Sequence, residues 1–218
     1  MGVSARLGAA LAGSNRSLVV TSGTLLLQRR GPLAAEQDAP IPSFPRKSEQ
    51  AALMASRGVR VSVLRLPPSV HGDGDHGFVP ALIKRAREQG ISAYVGDGLN
   101  RWPAVHRLDA AHLYRLVLEK GSAGASYHAI GDEGVRFQDI AAVSSRRLHV
   151  PVVRKSPEQA AHHFGWLARF VGVDRPASSK LTEEKLEWQP KHPGIIADLE
   201  QGTYFEPEQT THATPSHR

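Results

Sequence analysis

The run His71-Gly72-Asp73-Gly74-Asp75-His76 gathers imidazoles and carboxylates, the donor types that take a divalent cation. Its glycines make it loop-like, and no second pair at helical spacing supplies opposing ligands. A polar turn accounts for it better, and no metal site is expected. His162 and His163 are adjacent, so on a helix they diverge; His106 and His112 are likewise out of phase. Arg101-Trp102 is the more promising pair, because a guanidinium fork fits phosphate or carboxylate and an indole stacks beside it. A surface ion pair would use the same arginine equally well. Pro67-Pro68 is a rigid exit from a strand, suited to a backbone that must come close to a flat ring. With no cysteine in the chain, thiolate metal sites, disulfides and a cysteine nucleophile are excluded.

Positioning these groups takes alternating strands and helices. Leu18–Thr21 is a short apolar run closed by Ser22-Gly23, and Val59–Arg65 places valines at period two, so both read as strands. Between them lie a Pro-rich loop from Gln28 to Pro42 and a helix from about Pro45 to Arg57, stopped by Gly58. Strand, crossover helix and strand predict a right-handed parallel unit. Val79, Leu82, Ile83 and Ala86 recur at helical spacing and end at Gly90, before a strand at Ser92–Val95. Asp109 reads as the N-cap of a helix carrying Leu113, Leu116 and Val117, ended by Lys120-Gly121. Ser126–Ala129 reads as a strand, and Phe137, Ile140, Ala141 and Leu148 line a helix. Ser156-Pro157 starts another helix, with Phe164, Leu167, Ala168 and Val171 on one stripe. Trp166 and Trp188 read as packing residues. From Glu206 onward the polar composition predicts a disordered tail.

The net charge of +6, from 27 Lys and Arg against 21 Asp and Glu, permits anion binding. The cations are scattered pairs such as Arg29-Arg30 and Arg146-Arg147, and aromatic content is only 6%, so no base-stacking platform and no nucleic-acid partner are expected. No apolar run nears the roughly 20 residues of a membrane helix, so no membrane partner is expected either. Met1–Ala12 makes a poor secretory signal, and a cysteine-free chain suits a reducing cytoplasm, the expected location. Nothing in the sequence sets an oligomeric state.

Four segments, in order, resemble one family: the extended and atypical short-chain dehydrogenase/reductases, which include the NAD-dependent epimerases and dehydratases. Leu18–Thr21 with Ser22-Gly23-Thr24 is similar to the strand that ends in the family's catalytic Ser/Thr. Val61-Ser62-Val63-Leu64-Arg65-Leu66-Pro67-Pro68-Ser69-Val70-His71-Gly72 resembles the strand and R-P-x-x-V-Y-G turn beside the nicotinamide. Gly96-Asp97-Gly98, followed by Val105-His106-Arg107-Leu108-Asp109-Ala110-Ala111, resembles the G-D-G…V-H-V-x-D-x-A signature of the substrate lobe. Lys185-Leu186-Glu187-Trp188-Gln189-Pro190 resembles the near-terminal L-G-W-x-P.

The resemblance implies an α/β fold: a partial doubly wound, Rossmann-like parallel sheet with a small, mostly helical C-terminal substrate lobe. Residues 1–71 would be the partial Rossmann-like region, 72–205 the remaining sheet elements and lobe, and 206–218 the tail. It implies Ser22 or Thr24 as the hydroxyl that polarises the substrate oxygen. The family's Tyr-x-x-x-Lys falls best on Ser43-Phe44-Pro45-Arg46-Lys47, which keeps Lys47 for the cofactor ribose and places Ser43 where the family has its tyrosine. Pro67, Pro68 and Val70 would lie against the nicotinamide, with His71, Arg101 and Trp102 toward a small-molecule substrate. The cofactor would be NAD or NADP. The Gly-rich phosphate turn is not reproduced by Gly2, Gly8 and Gly13, and the match starts at the helix before the usual fifth strand. The chain by itself is therefore expected to bind a dinucleotide poorly. The expected activity is NAD(P)-dependent conversion of a small carbonyl or sugar-nucleotide-like substrate, impaired as written. The alternative is a non-catalytic binding or regulatory member of the same fold.

Overall fold

A computed structural model describes residues 10–42, 49 and 58–206. Strand β1 (Ser17–Gly23) runs parallel to β2 (Arg60–Leu66), in a register from Ser17 opposite Arg60 to Gly23 opposite Leu66. β1 thus includes the Ser22-Gly23 expected to close it. β6 (Ser126–His128) joins the other edge of β2, also in parallel, giving the order β1-β2-β6. The central strand is β2, and it reads as such: Val61, Val63 and Leu64 are all buried, as expected where both faces are covered. The helix expected between β1 and β2 lies outside the described residues, as does the chain from 207.

Two smaller sheets complete the frame. β3 (Ser69–His71) pairs in parallel with β5 (Arg101–His106), which pairs antiparallel with β7 (Asp132–Arg136). β4 (Ser92–Val95) pairs in parallel with β8 (Val152–Lys155). The C-terminal part thus carries sheet elements alongside its helices, as expected.

Helix α1 (Phe78–Gln89) ends on Gly90 at φ 64°, a left-handed residue that glycine adopts without a Cβ clash. Helix α2 (Arg107–Lys120) starts ahead of Asp109, so Asp109 is not its N-cap: the His106 imidazole accepts from the Leu108 N–H instead. Asp109 is freed for a longer reach, and its carboxylate accepts the backbone N–H groups of Lys191 and His192, both at 3.0 Å. Helix α3 (Phe137–Leu148) follows as expected. Helix α4 (Pro157–Phe164) begins with a full capping box between Ser156 and Gln159.

The stripe Phe164, Leu167, Ala168, Val171 does not form one helix. Gly165 sits at φ +56° and breaks it into a 3₁₀ turn and the short α5 (Ala168–Val171). Phe164, Leu167 and Val171 are nonetheless buried together against Trp102 and Phe137. Helices α6 (Lys180–Leu186) and α7 (Ile195–Gln201) close the described chain, with a last 3₁₀ turn at Thr203–Phe205.

The core between the main sheet and α2 holds Leu64, Leu113, Val117, Tyr127 and Trp188. Trp188 is fully buried and donates its indole N–H to the Asp109 carbonyl at 3.2 Å, as a packing residue should. Trp166 does not follow it: 56% exposed, it leans on Phe78 and Phe170 from outside. Among the described residues no helix is long and apolar enough to cross a membrane.

Candidate functional site

In open α/β sheets, ligands bind outside the carboxyl ends of the strands. At that end of β1 and β2 lies a cavity of about 500 Å³. β1 supplies Thr21, Ser22 and Gly23; the exit from β2 supplies Leu66, Pro67 and Pro68; β3 supplies Val70. Opposite them stand Phe78 at the start of α1 and the segment after α4, through Arg169, Phe170, Val173 and Arg175. Four residues singled out from the sequence, Ser22, Pro67, Pro68 and Val70, therefore share one wall. Parallel pairing explains why: Gly23 and Leu66 are register partners, so both strands end at the same level.

The other expected site residues lie elsewhere. Thr24 is buried, with its hydroxyl donating to the Leu66 carbonyl at 3.5 Å, and does not line the cavity. Ser43 and Lys47 lie outside the described residues. Arg101 is taken by Asp174, which accepts its Nε at 3.0 Å and Nη2 at 2.9 Å; this ion pair and its hydrogen bonds raise the Arg101 pKa and hold that of Asp174 down at about 2. Trp102 is a core residue, 1% exposed, with its ring edge against Phe137 and Phe78. Successive residues of a strand face opposite sides, so Arg101 and Trp102 cannot meet one ligand together.

His71 belongs to a different cluster. Its Nδ1 lies 2.8 Å from Asp198 Oδ2, its ring meets His106 edge-on, and His106 stacks on His192. His106, Asp109 and His192 each bring a possible ligand atom within 4.8 Å of the others, a juxtaposition made by folding and not visible in the sequence. The Asp109 oxygens, however, already accept from the Lys191 and His192 backbone and from the His192 ring. A larger open groove of about 1170 Å³ runs along α1 toward Thr203 and Tyr204 and holds none of the expected site residues.

Sequence reasoning missed the layer behind the cavity. Arg65, 3% exposed near the end of β2, donates two parallel hydrogen bonds of 2.8 Å to the Glu49 carboxylate and a third, of 2.9 Å, to the Glu36 carbonyl. Burial pushes the Glu49 pKa up, but Arg65 and the nearby Ser22 hydroxyl outweigh it, so the net shift is downward and the carboxylate stays charged. Arg65 Nη1 also lies 3.3 Å from His128 Nε2. His128 Nδ1 faces the Ser178 carbonyl at 2.8 Å, so the proton sits on Nδ1 and Nε2 accepts from Arg65. Burial drives the His128 pKa down to about 4, consistent with this neutral tautomer. Glu36 Oε1 completes the layer, accepting the Thr182 N–H and hydroxyl, each at 2.8 Å. The available signal was an arginine set between Leu64 and Leu66 in the buried part of the strand.

No protein-family model matches the chain. Over 202 residues it is 48% identical to the uncharacterized protein C2A9.02 of Schizosaccharomyces pombe, an alignment covering 91% of this chain and 68% of that protein. The chain belongs to the family of this fission-yeast protein. Another member, the uncharacterized protein YLL056C of Saccharomyces cerevisiae, is 46% identical over 193 residues, covering 87% of this chain and 64% of its own. The chain thus spans about two thirds of the length of these relatives. Among solved structures it resembles DesIV, a dTDP-glucose 4,6-dehydratase of Streptomyces venezuelae with NAD bound, at a TM-score of 0.67 and 19% identity, over 87% of this chain and 59% of DesIV. Further NAD-dependent sugar-nucleotide dehydratases share the arrangement at TM-scores of 0.69 and 0.71. The chain accordingly shares the Rossmann-like fold of these dehydratases.

Proposed function

We propose that the protein acts in NAD(P)-linked transformation of a small carbonyl or sugar-nucleotide-like substrate at the cavity beside Ser22. The observation that carries this reading is the convergence of Ser22 with Pro67, Pro68 and Val70 at the carboxyl ends of β1 and β2. Cavity size and lining suit a nicotinamide ring, since Leu66, Pro67 and Val70 offer an apolar wall that leaves no polar group unpaired against a flat face. A bound nicotinamide would supply or accept hydride. Ser22 would orient the substrate oxygen by hydrogen bonding, its own position held by the Glu49 carboxylate that Arg65 anchors. Lys47, two residues before Glu49, would hold the ribose, and Ser43 would stand in the tyrosine's place. Arg169 and Arg175 give the opposite wall its positive charge and would take an anionic part of the substrate.

Titrating NADH and NADPH fluorescence with this chain, and with the full-length fission-yeast relative, tests the reading. Saturable binding by either supports it, and binding by neither overturns it. A second reading, ligand binding without hydride transfer, is favoured by one observation: among the described residues no tyrosine lines the cavity, so no phenol is there to exchange a proton. Nucleotide binding by the fission-yeast protein with no turnover across a carbonyl panel would select it.

A further inference from the structure

We infer that the ligand of this cavity is a small apolar carbonyl compound, aromatic or branched aliphatic, with one anionic head group, and not a sugar; this rests on reading the cavity as the substrate site.

The lining carries the argument. Leu25, Leu26, Ile41 and Leu66 line the cavity together with Phe170 and Val173, all of them only half-buried and so without a full complement of packing partners. Phe78 and Phe170 meet edge to face, with ring centroids 5.1 Å apart, and form a rigid aromatic corner for a flat ring or a branched chain.

Polar groups are few. Among the described lining residues there is no Asn, Gln, Asp, Glu or His, and the only side-chain hydroxyls are those of Thr21 and Ser22. The Thr21 hydroxyl is already paired with the Tyr114 hydroxyl at 2.6 Å, and Ser22 lies beside Glu49. A hexose brings several hydroxyls, and each one buried without a partner costs roughly five- to a hundredfold in affinity. An aryl or branched aliphatic body carries no such penalty and gains from leaving water.

Charge sets the head group. Arg169 and Arg175 are the only charged side chains in the described lining, and among the described residues neither has a carboxylate within ion-pair distance. Asp174, next to Arg175 in the chain, already accepts from both Arg101 and Arg29. Two guanidiniums at the rim of an apolar cavity complement one carboxylate or phosphate on an apolar body.

The test measures, by ligand-observed NMR and calorimetry on the 218-residue chain, the binding of phenylpyruvate, acetophenone and UDP-glucose. Phenylpyruvate is expected to bind at least about tenfold tighter than either of the other two. Arg169→Gln and Arg175→Gln, each at a rim side chain outside the core, are expected to weaken phenylpyruvate about tenfold and to leave acetophenone unchanged. Tighter binding of UDP-glucose, no binding of phenylpyruvate, or indifference of phenylpyruvate to both arginine substitutions overturns the inference. The NADH titration separates the two claims. UDP-glucose preference with NADH binding intact removes only the ligand class, whereas arginine-dependent phenylpyruvate binding with no nucleotide binding by this chain or its relative removes only the redox reading.

Discussion

Acidification should unfold this protein through His128. Its imidazole is fully buried, with Nδ1 on the Ser178 carbonyl and Nε2 toward Arg65. Protonation would place a second positive charge 3.3 Å from that guanidinium, at a position closed to solvent. In the folded chain the group titrates at about 4, against 6.5 when exposed. The unfolded chain therefore takes up the proton first. Stability is full above 6.5 and drains as the pH falls toward 4. Between about pH 7 and pH 4.5 the linkage removes about 2 kcal/mol, a large share of an ordinary domain's roughly 5–15 kcal/mol.

Urea unfolding followed by circular dichroism at about pH 7, 5.5 and 4.5 reads this directly, with His128→Asn as the comparison. The amide introduced by that substitution donates to the Ser178 carbonyl but has no proton to gain. Burial also pushes the pKa of His106 and His163 down, but both remain in the variant, so the difference in pH dependence isolates His128. The variant should be less stable at neutral pH and should lose about 2 kcal/mol less than the parent on acidification. An equal loss in both proteins refutes the reasoning, as does a His128 Hε1 resonance titrating near the exposed value.

Two further outcomes follow from buried and strained positions. Arg65→Met leaves Glu49, the Glu36 carbonyl and His128 Nε2 without their donor, and should cost about 3–5 kcal/mol in urea unfolding; adding Glu49→Leu should recover at least about 1 kcal/mol, and additive losses would show that the two side chains are not coupled. Gly98→Ala places a Cβ 2.7 Å from both Gln138 Cβ and Tyr94 Cδ2 at a φ of +71°, so it should destabilise by about 1–3 kcal/mol, whereas Gly90→Ala, with open space at φ +64°, should cost less.

What was legible in the sequence was what repeats locally. β2 could be seen because its valines recur at period two, and α1 because its stripe ends on a glycine that must turn left-handed. β3, β7 and β8, of 3, 5 and 4 residues, could not: they exist because a partner strand arrives from elsewhere in the chain. β7, Asp-Glu-Gly-Val-Arg, has no strand composition at all; it is held by Arg101 and Trp102 across the ladder. The same division applies to the site. Ser22, Pro67, Pro68 and Val70 follow from two strands ending together, a local consequence of parallel pairing. Arg169 and Arg175 line the cavity from the segment that follows the helix break at Gly165. Arg101 misled for the converse reason, since the carboxylate that takes it lies 73 residues further on.

The chemistry of the site is sorted by the pleat of a single strand. Arg65 and Leu66 are neighbours in β2 and so face opposite ways. Leu66 joins the apolar lining, while Arg65 turns into the packed layer with Glu49, Glu36 and His128. The polar groups of that layer are thus satisfied behind the cavity, and the described lining is apolar except for Thr21, Ser22 and the two arginines. A guanidinium with four anchored contacts cannot swing out to meet substrate without leaving a buried carboxylate unpaired, so its influence on a reacting molecule runs through the Glu49–Ser22 link. Position and recognition are then carried by different side chains. On the proposed reading, replacing Leu66 would change the shape of the ligand that fits, while replacing Arg65 would change whether Ser22 is held at all.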